Sequence, residues 1–318
     1  MTSAKPMNTG AKLTEVIRPT TFVESPRLSK QLGVVLTFAS ETFQITGSFK
    51  FRAAYNLAAN VPETEIITAS SGNFGQALAY ACTLLGKRAT IVMPETSAQV
   101  KIDAVREFGG IVELVDTRKT QRAEKVRELA QANPRARVAS AYDEDLVIEG
   151  NASLGHEIAG RGDFDCVIVP VGGGGLIAGV VTGIRRAGNQ TTAVIGAEPQ
   201  LANDASRSLQ SGNIVRMETE PPTIADGART ISLGNANWEV IRREIHEIIE
   251  VPDDQIKSAV RLAFTHANLK TEPTGALSLG ALVANRKRFA GQKVLCVVSG
   301  GNVDPAVYQA ILSEADRG

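Results

Sequence analysis

Short apolar runs alternate with helical patterns along most of the chain, and this alternation narrows the possible folds more than any other feature. The β-rich runs are VVLTFA (34–39), EIITAS (65–70), ATIVMP (89–94), GIVELV (110–115), RVASA (137–141), DCVIVPV (165–171), TAVIGAEP (192–199), HEIIEV (246–251) and KVLCVVSG (293–300). Several lack polar alternation, as strands covered on both sheet faces do. Between them, Ala123, Val126, Leu129 and Ala130 share one face of 119–132. Ile256, Val260, Ala263, Phe264 and Ala267 do the same in 254–268. Segments 50–59, 73–86, 97–108, 175–187, 275–290 and 304–315 also predict helices, and 212–236, with Pro221-Pro222, predicts a long loop. Strand–helix alternation implies an α/β fold with mainly parallel sheets and right-handed crossovers.

Composition removes several function classes. With 318 residues and 43% hydrophobic side chains, the chain can bury a sizeable core. Its 34 basic and 34 acidic residues cancel, which argues against a dedicated nucleic-acid or anionic-membrane binder. No apolar run approaches the roughly 18–20 residues that span a bilayer, and MTSAKPMNTG lacks a signal-peptide core. A cytoplasmic protein is expected. Cys82, Cys166 and Cys296 form no CxxC and sit in apolar runs, which predicts buried, reduced thiols. His156, His246 and His266 show no metal-ligand spacing.

Glycine is in excess: 29 residues, roughly 9% against a usual share of about 7%. Glycine-rich or polar turns recur beside the apolar runs: ITGSFK (45–50), SSGNFGQ (70–76), VGGGGLIAG (171–179) and SGGN (299–302). Strand C-termini of open α/β sheets are where ligands bind. Gly172, Gly173, Gly174 and Gly175 follow an apolar strand and open an apolar helix, so backbone N–H groups can converge on a phosphate. The P-loop lysine is missing. A dinucleotide fingerprint can be matched at Gly173, Gly175 and Ala178, with Glu198 as the ribose acid. That supports a nicotinamide oxidoreductase but leaves the other three turns unexplained. Lys50, flanked by Phe49 and Phe51, can have a lowered pKa and form a Schiff base. Phosphate cradle and Schiff-base lysine are the two anchors that pyridoxal phosphate needs. Ser70, Ser71 and Asn73 at a helix start could receive a carboxylate, and the Ser299 hydroxyl could meet a ring nitrogen.

These four turns, in this order, resemble the fold-type II pyridoxal-phosphate enzymes, specifically the threonine/serine dehydratase and serine racemase family. The likeness runs from about residue 12 to 310 and includes IVMPETSAQVKIDAVREFGG, GAEP, IADG and SGGNVD. It implies a tryptophan synthase β-like fold with two open, twisted, mainly parallel sheets flanked by helices. It also implies a large domain of 1–61 and 145–318, a small mobile domain of 62–144, and a homodimer. By this resemblance Lys50 carries the Schiff base. Gly172 to Gly175 and the Leu176 amide hold the phosphate, Asn73 meets the ring hydroxyl, and Phe49 and Gly227 border the ring. Ser299 meets the ring nitrogen. Ser71, Gly72, Asn73 and Gln76 hold the substrate carboxylate.

The implied reaction is dehydration and deamination of an L-β-hydroxy-α-amino acid to a 2-oxo acid and ammonia. Lys50 is the base at Cα, and a hydroxyl partner for the ring nitrogen favours rapid β-elimination. Ser71 occupies the position of the second acid that racemisation needs, so an amino-acid racemase stays open. A non-catalytic ligand sensor would not need Lys50, Asn73 and Ser299 intact. The chain departs from the family's SSGNHGQ at Phe74, whose ring could repack behind the loop or shape an aryl site for phenylserine. It departs again at Arg52-Ala53-Ala54 and at Gly150-Asn151-Ala152-Ser153, which bear on substrate preference. Glu198, the Ala202 carbonyl and Asp204 match a divalent-cation site of serine racemase-like members, and oxygen ligands suit Mg²⁺ or Ca²⁺.

Overall fold

The computed structural model describes residues 13–70, 72–97 and 99–314. In chain order the elements are α1 (Leu13–Val16), β1 (Thr21–Glu24), α2 (Pro26–Leu32), β2 (Val35–Ser40), α3 (Lys50–Asn60), β3 (Glu65–Ala69), α4 (Asn73–Leu84), β4 (Arg88–Pro94), α5 (Gln99–Glu107), β5 (Ile111–Val115), α6 (Arg122–Ala132) and β6 (Arg137–Val138). They continue with α7 (Asp145–Arg161), β7 (Cys166–Pro170), α8 (Gly175–Arg186), β8 (Ala193–Pro199), α9 (Asp204–Ser211), α10 (Asn235–Glu244), β9 (Ile248–Val251), α11 (Asp253–Ala267), α12 (Leu277–Ala284), β10 (Lys293–Val298) and α13 (Pro305–Ser313). Single 3-10 turns lie at Gln200–Ala202, Asp226–Ala228 and Thr274–Ala276.

Two sheets result. The six-stranded sheet has the order β1-β2-β10-β7-β8-β9, and the four-stranded sheet β5-β4-β3-β6. Every pairing is parallel except β1 with β2. The chain leaves the large sheet after β2, lays down the whole small sheet, and returns at β7.

The continuous apolar runs have the expected cause. Successive residues of a strand point to opposite faces. Phe38, Ile168 and Cys296 enter a core on one face of the large sheet, while Ala39, Val167, Val169 and Val297 enter a core on the other. All five residues of β7 are buried.

Several elements differ from the sequence expectation. The run 137–141 pairs only at Arg137 and Val138, and 275–290 shortens to α12 after a 3-10 turn. The loop expected at 212–236 has only the Asp226–Ala228 turn before α10 begins at Asn235. The largest unforeseen element is α7, wedged between α3 and α8. A Cβ on Gly150 would fall 2.5 Å from the Arg52 carbonyl of α3, and one on Gly155 2.1 Å from the Val180 carbonyl of α8. Glycine is what lets three backbones approach this closely.

The three cysteines are buried and free. Burial pushes the Cys82 and Cys166 thiols up to about 12 and raises Cys296 well above its ordinary value. Among the described residues no helix is long and apolar enough to cross a membrane.

Candidate active site

The C-terminal ends of β2, β7 and β10 adjoin in the large sheet, and the turns that follow them meet there. Ser48 and Gly300 form an isolated antiparallel bridge. The Phe49 amide donates to the Ser299 carbonyl at 2.9 Å, and the Gly301 amide to the Gly47 carbonyl at 2.9 Å. The turn bearing Lys50 is thereby stitched to the turn bearing Ser299.

Lys50 is the first residue of α3. Its Nζ donates to the Ala141 carbonyl at 2.9 Å. The amine lies 5.0 Å from the centre of the Phe49 ring and 5.7 Å from that of Phe74. Burial between these groups lowers its pKa from 10.5 to about 8, against the opposing pull of the Glu272 charge. Phe74 itself is buried, packed among the apolar side chains around α3 and α4. Its ring is therefore a wall beside the amine.

The glycine loop connects β7 to α8. Gly174 has φ +90° and caps the helix, a left-handed conformation that glycine adopts freely. A Cβ on Gly173 would fall 2.3 Å from the Tyr142 ring. Two buried asparagines hold the loop from behind. Asn237 Nδ2 donates to the Gly173 carbonyl at 2.6 Å, and Asn151 Nδ2 to the Gly175 carbonyl at 3.0 Å. The carbonyls are thus occupied, whereas first-turn helix amides have no intrahelical acceptor and suit an anion. Gly227 adjoins the loop: its carbonyl lies 3.2 Å from where a Gly172 Cβ would stand. Its amide donates to Thr274 Oγ1 at 3.0 Å. Leu176 is buried in the core behind the loop.

Ser299 Oγ is buried and has no hydrogen-bond partner among the described residues. A buried orphan hydroxyl costs about 1–3 kcal/mol, so a ligand atom that satisfied it would recover that cost. Across the site, Asn73 opens α4 with Gly72 before it, and Gln76 is buried one turn on. No atom of the described residues lies within 4 Å of a Cβ placed on Gly72. Ser71 lies outside the described residues. The glycine loop at a helix N-terminus, the orphan hydroxyl and the desolvated lysine together fit pyridoxal phosphate.

The suggested cation site is differently arranged. Glu198, at the end of β8, accepts from the Ser206 amide at 2.7 Å and the Ala205 amide at 3.2 Å, which makes it the cap of α9. It faces helix amides and takes no part in the glycine loop, contrary to the ribose-binding alternative. Burial pushes Glu198 up to about 9 and Asp204 up to about 7, and Asp204 Oδ2 is buried without a hydrogen-bond partner among the described residues. Ala202 ends the 3-10 turn between them. Among the described residues no group of three or more His, Cys, Asp or Glu side chains is arranged around a metal position.

Sequence reasoning missed Tyr142 and Asn237 around the glycine loop and Glu272 beside Asn73, which no short motif marks; Asn151 and Asn302 fall in named segments, but their contacts with the glycine loop and Asn73 were not foreseen. Each acts through segments remote in the chain, and only the fold brings them to the site.

A family model described as pyridoxal-phosphate dependent enzyme matches residues 13–300. The chain belongs to that family. An L-threo-3-hydroxyaspartate ammonia-lyase from Pseudomonas sp. is 36% identical over 91% of this chain and 91% of its own. A serine racemase from Schizosaccharomyces pombe is 32% identical over 93% and 92%. Among solved structures, a threonine deaminase from T.th. superposes with a TM-score of 0.87 at 37% identity, covering 92% of this chain and 95% of its own. The fold is accordingly that of the fold-type II enzymes, and the nicotinamide alternative falls away.

Proposed function

We propose that the protein performs β-elimination on an L-β-hydroxy-α-amino acid, losing water and then ammonia to leave a 2-oxo acid. The observation that carries this reading is the desolvated Lys50 amine, held in the same stitched pair of turns as the unpartnered Ser299 hydroxyl. Lys50 would bind the cofactor covalently and, once displaced by substrate, take the Cα proton. Gly172 to Gly175 and the Leu176 amide would hold the cofactor phosphate, Asn73 would face the ring oxygen, and Ser299 the ring nitrogen. Bound pyridoxal phosphate supplies the electron sink for the pair released at Cα. A hydroxyl opposite the ring nitrogen tempers that sink, which suits prompt loss of the β-hydroxyl over persistent carbanion chemistry. Ser71, Gly72, Asn73 and Gln76 are assigned to the substrate carboxylate.

Three similar curated proteins are named for 3-hydroxyaspartate, as ammonia-lyases or a dehydratase, and others for threonine. These support 3-hydroxyaspartate, threonine and serine ahead of phenylserine, because the Phe74 ring is committed to the core beside Lys50. The racemases among the relatives keep racemisation as a second reading. We assign 62–144 as the moving domain, Glu198, Ala202 and Asp204 to a divalent cation, and the assembly to a cytoplasmic homodimer. The test is release of 2-oxo acid from each of the four hydroxy-amino acids by yellow, cofactor-loaded protein. Release from none of them, with serine racemised instead, would overturn the lyase assignment.

A further inference from the structure

Glu272 belongs to none of the four turns, yet its carboxyl reaches the site. It stands between α11 and the Thr274–Ala276 turn and is 3% exposed. Its Oε1 accepts from Asn73 Nδ2 at 2.8 Å. Asn73 Oδ1 in turn accepts from Asn302 Nδ2 at 2.8 Å, and Asn302 Nδ2 also donates to the Thr46 carbonyl at 2.8 Å. The carboxyl is anchored on the Ser299 turn: the Glu272 amide donates to the Gly300 carbonyl at 3.1 Å, and a Cβ on Gly300 would fall 2.7 Å from Oε1.

This line of side chains settles which way the Asn73 amide faces. Its oxygen is taken by Asn302 and one of its two N–H bonds by Glu272. A flipped amide would set Nδ2 against the Asn302 Nδ2 donor, which the Thr46 carbonyl holds in that orientation. Among the described residues the second N–H has no acceptor, and it is the one left to meet a ligand. We infer that Glu272 is a positioning residue for the cofactor, holding the Asn73 amide so that its remaining N–H meets the ring oxygen. This rests on the pyridoxal-phosphate reading of the site and adds a residue to it. What is asked of the carboxyl is one accepted hydrogen bond, which the side-chain oxygen of glutamine also provides.

Apo protein titrated with pyridoxal phosphate gives a Kd and a bound-cofactor absorbance maximum, neither of which depends on turnover. Asn73→Ala and Glu272→Ala should each weaken binding about tenfold, the scale of one hydrogen bond to a partly charged group, and shift the maximum in the same direction. The double variant should be no weaker than Asn73→Ala alone, because both substitutions remove one interaction. Glu272→Gln should restore most of the affinity. Additive losses, an unchanged Kd for Glu272→Ala, or a Gln variant as weak as Ala would overturn the inference. Should Glu272→Ala fail to fold, Glu272→Met fills similar volume without an oxygen acceptor and replaces it in the cycle. A wild-type protein that takes up no pyridoxal phosphate would instead overturn the functional reading beneath it.

Discussion

The two sheets are built to different standards of burial. The large sheet has a substantial core on each face. The small sheet has one on a single face, while four buried residues, Ile67, Val92, Val115 and Val126, cover the other. Its rim leaves Ile111, Leu114 and Val138 at 47%, 41% and 45% exposure. A buried aliphatic side chain contributes about 1.5–3 kcal/mol, so the large sheet should open far less readily. The proposed cofactor anchors, Lys50, the glycine loop and Ser299, all follow strands of the large sheet. Asn73 and the Ala141 carbonyl, which reach in from the other side, follow strands of the small one. On the proposed reading, groups that must keep one geometry are thus on the thicker core, and groups that must admit a substrate are on the thinner.

The largest effect expected is at Lys50. Lys50→Ala should lower 2-oxo acid release by about 10⁴-fold or more, since proton transfer alone is worth about 10²–10⁴ and the covalent anchor goes with it. Asn73→Ala should cost about tenfold through one hydrogen bond; equal losses at the two positions would break the division of labour. Because burial lowers the Lys50 pKa to about 8, its amine becomes neutral as pH rises through that value. Borohydride-trapped aldehyde labelling of Lys50 in apo protein should follow a midpoint near pH 8; a midpoint near the ordinary 10.5 would contradict a desolvated amine.

Next comes stability. Arg52 is fully buried against Glu41, with Glu157 as a second partner. Arg52→Ala leaves a buried carboxylate unpaired and should cost about 3–5 kcal/mol in denaturant unfolding. Arg88 on β4 pairs with Glu65 but is 71% exposed, so Arg88→Ala should cost under about 1 kcal/mol. Amides of β5 and β6 should exchange hydrogen at least about tenfold faster than those of β7 and β10, as thinly covered segments open locally. Uniform protection would remove the contrast between the sheets. The smallest effect is at Lys101 of α5, which pairs with Asp226 of the facing 3-10 turn, both partly exposed. Lys101→Ala should change stability by less than about 1 kcal/mol and raise KM more than it lowers kcat, if this pair holds the small sheet closed.

Much of this is legible in the sequence. The buried strands are readable because coverage on both faces leaves no polar alternation, and the glycine turns because four consecutive glycines need a close neighbour. The helix α7 is not, since its glycines and small residues pack on two sides and blur a single apolar face. Glu272 is not, because a buried acid in TEPTGA looks like a solvated one until its neighbours are placed. Phe74 is compatible in sequence with both an aryl site and a packed ring, and the fold gives it a place in the core that no local pattern distinguishes.

The order of the large sheet also bears on how the molecule comes into being. β10 is the last strand in chain order, yet it lies between β2 and β7. Until it arrives, β1-β2 and β7-β8-β9 have no shared edge, and Ser299 has no place beside Lys50. Pairings so distant in sequence form slowly. Cofactor capture should therefore be a late event of folding, and a yellow colour a sign that the chain has closed its central gap.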